Sequence, residues 1–143
     1  MSVKQISVFL ENRPGALCEM TRVLGDNAID MRAFSLAETS DFGIARIIVD
    51  DIYRTTTVLK DAGYINSVTS VLALAMPNVP GGLSGVLATL GQAQVNVEYI
   101  YAFVGAQPDT ACLIMKVADE AKAVAALREG GVKMIEQEEL AFI

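Results

Sequence analysis

The sequence of 143 residues contains no histidine, the side chain that proteins use most often as a general base and as a metal ligand. Without histidine, Cys18 has no imidazole partner, and a papain-like nucleophile is excluded. The adjacent acids Asp50 and Asp51 supply two carboxylates, but the sequence around them offers no further ligands. We therefore expect no catalytic residues, no metal site and no cofactor, and we predict that the protein is not an enzyme.

Positive charge and long apolar runs are also scarce. Lys and Arg together number 11 against 17 Asp and Glu, which gives a net charge of −6. Nucleic-acid-binding proteins cluster basic residues that replace the counterions of phosphate, and no basic run occurs in the sequence. The longest apolar run, residues 71–77, is far too short to span a bilayer. These features predict neither a nucleic-acid partner nor a membrane partner.

Cysteine is rare, with only Cys18 and Cys112 in the chain. Such sparse cysteine is typical of reduced, buried thiols and not of a disulfide framework. Residues 1–5 lack the basic and apolar regions that open a secretory signal peptide. We therefore expect a cytoplasmic protein.

What the sequence does contain is an internal repeat. Asn-Arg-Pro-Gly-Ala-Leu at residues 12–17 returns 66 positions later as Asn-Val-Pro-Gly-Gly-Leu at residues 78–83. Six of nineteen positions are identical between residues 12–30 and their counterparts, whereas about one is expected from ordinary residue usage. A later match, of residues 59–63 with residues 127–131, has an offset of 68, so the halves differ by about two inserted residues between the two matches. A repeat of this length predicts two small domains, residues 1–69 and 70–143.

Each half shows the same order of predicted elements: strand, helix, strand, strand, helix, strand. A βαββαβ unit closes with right-handed crossovers into a four-stranded antiparallel sheet with two helices on one face. The fold class is therefore α+β, with two ferredoxin-like units. We expect the last strand of the second half over residues 132–140 and a hairpin connection at 105–109. No Gly or Pro interrupts residues 66–76, which predicts one continuous strand between the halves.

The repeated Asn-x-Pro-Gly-x-Leu turn lies between the first strand and the first helix of each half. Gly15 and Gly81 permit a tight turn and a close approach of a ligand, because no Cβ intervenes. The helix start that follows carries unsatisfied N–H groups that suit a carboxylate. Asn12 and Asn78 can both donate and accept hydrogen bonds, as the two groups of an amino acid require, and Arg13 can clamp a carboxylate. The same residues also suit an ordinary strand-to-helix turn, and the sequence leaves both interpretations open.

With these turns, the βαββαβ order and the strand openings at residues 29–31 and 95–97, the chain resembles a tandem pair of ACT domains. The resemblance covers nearly all of the sequence. It implies a ligand-binding module of amino-acid metabolism that binds a free amino acid where paired ACT units meet. Residue by residue, the implied ligand-binding set is Asn12, Arg13, Pro14, Gly15, Ala16, Leu17, Asp30, Asn78, Val79, Pro80, Gly81, Gly82, Leu83 and Asn96.

The resemblance thus predicts a non-catalytic amino-acid sensor that regulates an enzyme or pathway of amino-acid metabolism. A hydrophobic content of 52% exceeds what two such small cores need, so the surplus predicts a homo-oligomer, most simply a dimer. A client metabolic enzyme is a further expected partner. Two alternatives stay open: a ferredoxin-like protein–protein adaptor, and a small enzyme with its site at an interface.

Overall fold

The structure is a computed structural model that describes residues 2–104 and 109–142. The predicted hairpin connection lies, except for its last residue, outside these described residues. The strands and helices follow in the order β1 Val3–Glu11, α1 Ala16–Asp26, β2 Met31–Glu38, β3 Phe42–Val49, α2 Ile52–Asp61, β4 Asn66–Pro77, α3 Gly82–Gln92, β5 Val97–Val104, β6 Thr110–Val117, α4 Glu120–Glu129 and β7 Lys133–Met134, with a 3-10 helix at Gln137–Phe142.

The chain packs into two compact units, of which the first comprises Lys4–Thr69. Its strands lie in the order β2-β3-β1, with β3 antiparallel to both neighbours, and β4 lies next to β1 in the sheet. Alternate residues of β1 and β3 face α1 and α2, so a single sheet face and both helices enclose the core. Its buried members are Ile6, Val8, Leu10, Met20, Leu24, Ala45, Ile47, Val49 and Leu59.

The second unit comprises the residues from Ser70 on, together with the first residues of the chain. Its strands lie in the order β5-β6-β4, and the short β7 pairs antiparallel with the other side of β4. Here α3 and α4 cover one sheet face. The buried core is formed by Leu72, Leu74, Val86, Leu90, Val95, Leu113, Met115, Val117, Ala123, Leu127 and Met134. The predicted α+β class with two ferredoxin-like units is confirmed.

The element bounds locate the two inserted residues. Helix α3 begins 66 residues after α1, and β5 begins 66 residues after β2, whereas β6 and α4 begin 68 residues after β3 and α2. The insertion therefore lies between β5 and β6. The predicted continuous strand is also confirmed. Strand β4 runs without a break over Asn66–Pro77, and the boundary between the two units falls within it, after Thr69.

The predicted strand over residues 132–140 is wrong. The strand is limited to Lys133–Met134, with one further bond from the N–H of Ile135 to the carbonyl of Ala73 on β4 at 2.8 Å, and a 3-10 helix begins at Gln137. The backbone N–H of Glu136 donates to Oε1 of Glu139 at 3.2 Å, and the N–H of Glu139 donates to the carbonyl of Glu136 at 3.0 Å. These local bonds satisfy groups that a strand would have to pair, which favours a turn over the ladder.

Each unit carries an ion pair between its second and third strands, with the charges reversed. In the first unit, Arg32 at the start of β2 binds Asp50 after β3 through two hydrogen bonds of 2.7 and 3.1 Å. In the second unit, Glu98 stands at the position of Arg32, and its carboxylate lies 3.7 Å from Nζ of Lys116 on β6. The guanidinium of Arg32 lowers the pKa of Asp50 below its usual range.

Among the described residues, no helix has the length and apolar character needed to cross a bilayer.

Candidate functional site

The two repeated turns have the same backbone conformation. Gly15 has φ 86° and ψ −16°, and Gly81 has φ 85° and ψ −5°. Both values lie in the left-handed region, which side chains with a Cβ rarely adopt. A Cβ built on Gly81 would meet no atom within 4 Å, and one on Gly15 would come only within 4.0 Å of a Glu19 oxygen. Both glycines are therefore required by conformation, and the space beside them is open.

The helices that follow these turns start without a side-chain cap. Neither α1 nor α3 has a side chain that accepts from its first N–H groups. The later helices differ, because Asp51 accepts from the N–H of Arg54 at the start of α2, and Asp119 accepts from the N–H of Lys122 at the start of α4. Each unit thus leaves one helix start uncapped, and it is the one that follows the glycine turn. The N–H groups of Ala16 and Gly82 donate to the carbonyls of Arg13 and Val79 at 3.3 and 3.0 Å. The N–H groups that follow them, together with the partial positive charge of the helix start, suit an anion.

Asn12 has a structural role that the sequence did not reveal. Its Nδ2 donates to the carbonyl of Thr39 at 2.9 Å and to that of Ser40 at 3.5 Å, and its backbone N–H donates to Asp41. The amide thereby ties the first turn to the connection between β2 and β3. In the second unit, the N–H of Asn78 makes the matching bond to the carbonyl of Asp109, at 2.8 Å.

Arg13 is already paired with carboxylates of its own chain. Its Nη2 and Nη1 lie 2.9 and 3.4 Å from the two oxygens of Glu19, and its Nε lies 3.0 Å from Oε2 of Glu11. The hydrogen bond from Arg13 lowers the pKa of Glu19, and the same bond raises the pKa of Arg13. To clamp a ligand's carboxylate, Arg13 would have to release one of these partners. Both ion pairs are exposed, so such an exchange is inexpensive.

The remaining turn residues divide between core and surface. Ala16 is buried and Leu17 packs against the core of the first unit, so both hold α1 on the sheet. Pro14, Pro80, Val79 and Leu83 are exposed, the last two by 54% and 40%. Gly82 is half-buried, and a Cβ there would lie 2.2 Å from the carbonyl oxygen of Pro77.

Asp30 and Asn96 do not join the turns within a unit. Asp30 follows the end of α1, whereas the turn precedes its start, and the 11 residues of α1 span about 16 Å. The Asp30 side chain lies 3.5 Å from the guanidinium of Arg32 and is 74% exposed. Asn96 occupies the same place after α3, where its carbonyl accepts from the N–H of Ala118. Neither residue therefore lies beside the glycine turn of its own unit.

A groove of about 670 Å³ opens beside the second turn, wholly inside the second unit. It runs along the first half of α3 and past the turn that follows α4. Apolar, hydroxyl and charged side chains all contribute to it. The lining residues are Ala75, Met76, Pro77, Gly81, Gly82, Gly85, Val86, Thr89, Asp109, Thr110, Gly130, Gly131, Val132 and Lys133.

Several residues of this region escaped the reasoning from sequence. Glu19 is the partner of Arg13, while Lys133 and Asp109 are the charged members of the groove. One signal was present in the repeat itself, because Glu19 aligns with Gly85 and a carboxylate is missing from the second copy. Within the described parts of the chain, no three Cys, Asp or Glu side chains are grouped as metal ligands would be.

Comparison with known proteins complements this geometry. The model of a family described as an ACT domain pair matches residues 1–143. A crystallised protein from Bacteroides thetaiotaomicron is 36% identical, with a TM-score of 0.92, and the match covers 100% of this chain and 98% of that one.

The regulatory subunit of aspartate kinase from Thermus thermophilus, in its ligand-free form, is 14% identical with a TM-score of 0.67 over 90% of each chain. The corresponding subunit from Thermus flavus is 12% identical with a TM-score of 0.63, over 90% of this chain and 92% of that one. At such identities these two structures are similar in fold alone. A comparison with curated proteins gives no match.

Proposed function

Because this chain belongs to the family of ACT domain pairs, we propose that it is a non-catalytic regulatory module that senses a free amino acid. On this proposal, residues 1–69 and 70–143 are its two ACT domains. The amino acid is the signal, and the regulated target is an enzyme or pathway of amino-acid metabolism in the cytoplasm. A client metabolic enzyme is accordingly the expected protein partner.

One observation carries the proposal: both units keep a glycine turn at φ near 86° that leads into a helix without a side-chain cap. The other two helices show that a helix start in this fold can carry a side-chain cap, since Asp51 caps α2 and Asp119 caps α4. The missing cap leaves backbone N–H groups for an anion. The carboxylate of an amino acid is an anion of the right size.

The residues of each turn would then take separate roles. The N–H groups that follow Ala16 or Gly82 bind the carboxylate, and the absence of a Cβ on Gly15 and Gly81 lets the ligand approach the backbone. Asn12 holds the first turn in place through Thr39, so its contribution is to position the site. Pro14, Pro80, Val79 and Leu83 form the exposed apolar rim.

A second copy of the chain completes the proposed site. Asp30 and Asn96 lie at the far ends of α1 and α3 from their own turns, so they reach a ligand only from another unit. The first unit also exposes large apolar side chains, with Phe9 44% and Phe42 60% accessible. Exposed apolar surface of this kind favours association. A homodimer in which the start of β2 or β5 in one copy faces a glycine turn of the other copy would bring Asp30 or Asn96 to the ligand. It would also cover exposed apolar surface.

The test is a panel of the twenty amino acids, each added to the full chain and followed by thermal unfolding. A ligand at 100 times its dissociation constant should stabilise the fold by about 2.7 kcal/mol. Each amino acid that stabilises the protein is then compared with its α-amide, which keeps the side chain and removes the carboxylate charge. The amide should bind at least tenfold more weakly.

Two results would count against the proposal. If no amino acid shifts the unfolding transition of the folded chain, the sensor function is refuted and the adaptor alternative gains support. If an amino acid and its amide bind equally well, the carboxylate does not bind to the helix start, and the role assigned to the glycine turns is wrong.

A further inference from the structure

We infer that the two copies of the repeat have taken different roles: the groove of the second copy holds the amino acid, whereas the turn of the first copy is occupied by its own Glu19. The ligand class that fits the groove is a zwitterionic α-amino acid with an uncharged, apolar side chain. This inference rests on the proposed function and specifies which site performs it and for which ligands.

The first turn already holds a carboxylate. Glu19 lies in the first turn of α1, and its Oε1 is 4.0 Å from the point where a Cβ of Gly15 would stand. Both of its oxygens receive hydrogen bonds from Arg13. A ligand carboxylate at this place would meet the charge of Glu19 and compete with it for the same guanidinium.

The second copy lacks both of these charges. Val79 stands in place of Arg13, and Gly85 stands in place of Glu19. A Cβ at Gly85 would find no atom within 4 Å, so the position of the Glu19 side chain is empty space in the second unit. The loss of this one side chain opens the helix side of the turn.

Other lining positions also carry smaller residues than their counterparts in the first copy. Val132 stands in place of Tyr64, which packs against the core of the first unit, and Val86 stands in place of Met20. Gly130 stands in place of Ala62. Each of these three substitutions places a smaller side chain in the lining of the groove of about 670 Å³. A volume in this range is typical of small-molecule sites.

Residues of both charge signs line the groove. Lys133 and Asp109 are among its lining residues, and this pair of opposite charges favours a zwitterion. The Lys133 ammonium lies 3.5 Å from a Glu139 oxygen, but its side chain is 70% exposed, so a ligand can compete for it at little cost. The N–H of Gly82 donates to the carbonyl of Val79 at 3.0 Å, so the donors left for the carboxylate are the N–H groups of Leu83 and Ser84.

The remainder of the groove selects the side chain. Met76, Val86 and Val132 line it with apolar surface, which favours an aliphatic side chain by removing it from water. A ligand side chain with a further charge would lose hydration against this apolar surface, which disfavours it. Amino acids such as valine, leucine and isoleucine therefore fit, and aspartate, glutamate, lysine and arginine do not.

The experiment restores the first copy's residue to the second copy. Gly85→Glu places a side chain in the open space, and the helical position accepts it without strain because no positive φ is required there. Gly91→Glu is the matched control: it lies on the same helix, is exposed, and adds the same charge and length outside the groove. Amino-acid affinity and stoichiometry are measured by calorimetry on the wild-type chain and both variants.

We expect one aliphatic amino acid to bind per chain, at least a tenfold loss of affinity in Gly85→Glu, and less than a twofold change in Gly91→Glu. An amino acid that binds the wild type but loses no affinity in Gly85→Glu, or that fills two equivalent sites per chain, would overturn the division of roles and leave the sensor function intact. A wild-type chain that binds no amino acid would refute the sensor function itself.

Discussion

The conformation of Gly81 leads to a stability prediction that needs no ligand. Replacing Gly81 by alanine forces a residue with a Cβ to φ 85°, a conformation that costs about 1–3 kcal/mol for a non-glycine residue. Alanine also loses less entropy than glycine on folding, which returns about 0.4–1 kcal/mol. Since a Cβ there would touch nothing within 4 Å, no steric term is added. We therefore expect Gly81→Ala to lower the free energy of unfolding by about 1–2 kcal/mol.

Two neighbouring glycines provide comparisons with different physical causes. Gly82→Ala would place its Cβ 2.2 Å from the Pro77 carbonyl oxygen, a backbone atom that cannot rotate away, so it should cost about 3 kcal/mol. Gly91→Ala, on the exposed side of α3 with no nearby atom, should instead stabilise the fold by about 0.5–1 kcal/mol. Urea unfolding of all three variants measures the series. A Gly81→Ala variant as stable as the wild type would refute the assignment of strain to this turn.

Further predictions concern charge, thiols, affinity and assembly. Arg32→Ala should lower stability at neutral pH by no more than about 1 kcal/mol. Because Arg32 lowers the pKa of Asp50, the stabilisation exists above the unfolded pKa and disappears as pH falls through the folded one, so urea midpoints of variant and wild type should converge in acid. A thiol reagent should modify the exposed Cys18 in the folded chain and reach Cys112 only after unfolding, because burial raises the pKa of the Cys112 thiol to about 12; two equally fast thiols would contradict this. Arg13→Ala should change amino-acid affinity less than twofold in calorimetry, since its guanidinium is held by Glu side chains in the first copy; a tenfold loss would instead place the ligand there. Sedimentation should give at least a dimer of the 15.3 kDa chain at micromolar concentration, and a purely monomeric species would remove the second copy from the proposed site.

The element order and repeat were predictable because they depend on short-range patterns. Alternation marks the strands, and glycine marks the helix ends: Gly63 and Gly131 follow α2 and α4 at φ 89° and 78°. Both turn glycines were likewise evident from the repeated motif, and their left-handed backbone agrees with the expected tight turn.

The errors arose where side chains bond to nearby backbone groups. The spacing of Ile52, Thr56, Leu59 and Ala62 in the sequence predicts that these four residues form the inward face of α2. In the structure, Ala62 is exposed and Thr55 is fully buried. The Oγ1 of Thr55 donates to the carbonyl of Asp51 at 2.7 Å, which satisfies the hydroxyl and lets a polar residue enter the core. Polarity alone does not reveal such a bond, so the pattern assigns the helix face incorrectly.

The site was predictable only as a set of residue types. The motif identifies Arg13 as a cation beside the turn, but the distance of 2.9 Å to Glu19 depends on how α1 is oriented. The groove in the second unit depends on residues from β4, α3, β6, the turn after α4 and β7, which lie up to 58 positions apart in the chain. Their proximity is a property of the tertiary fold, which periodicity within one segment does not contain.

The reversed ion pairs have a consequence for how a duplicated chain folds correctly. Two similar repeats on one chain can exchange strands during folding, and repeat proteins misassemble in this way. If β2 paired with β6 in place of β3, Arg32 would face Lys116; if β5 paired with β3, Glu98 would approach Asp50. Each exchanged pairing brings like charges together, which is unfavourable between neighbouring strands. The opposite charge order of the two copies thus disfavours both exchanged pairings, by the small amount that partly exposed charges contribute, even though the two halves share one architecture.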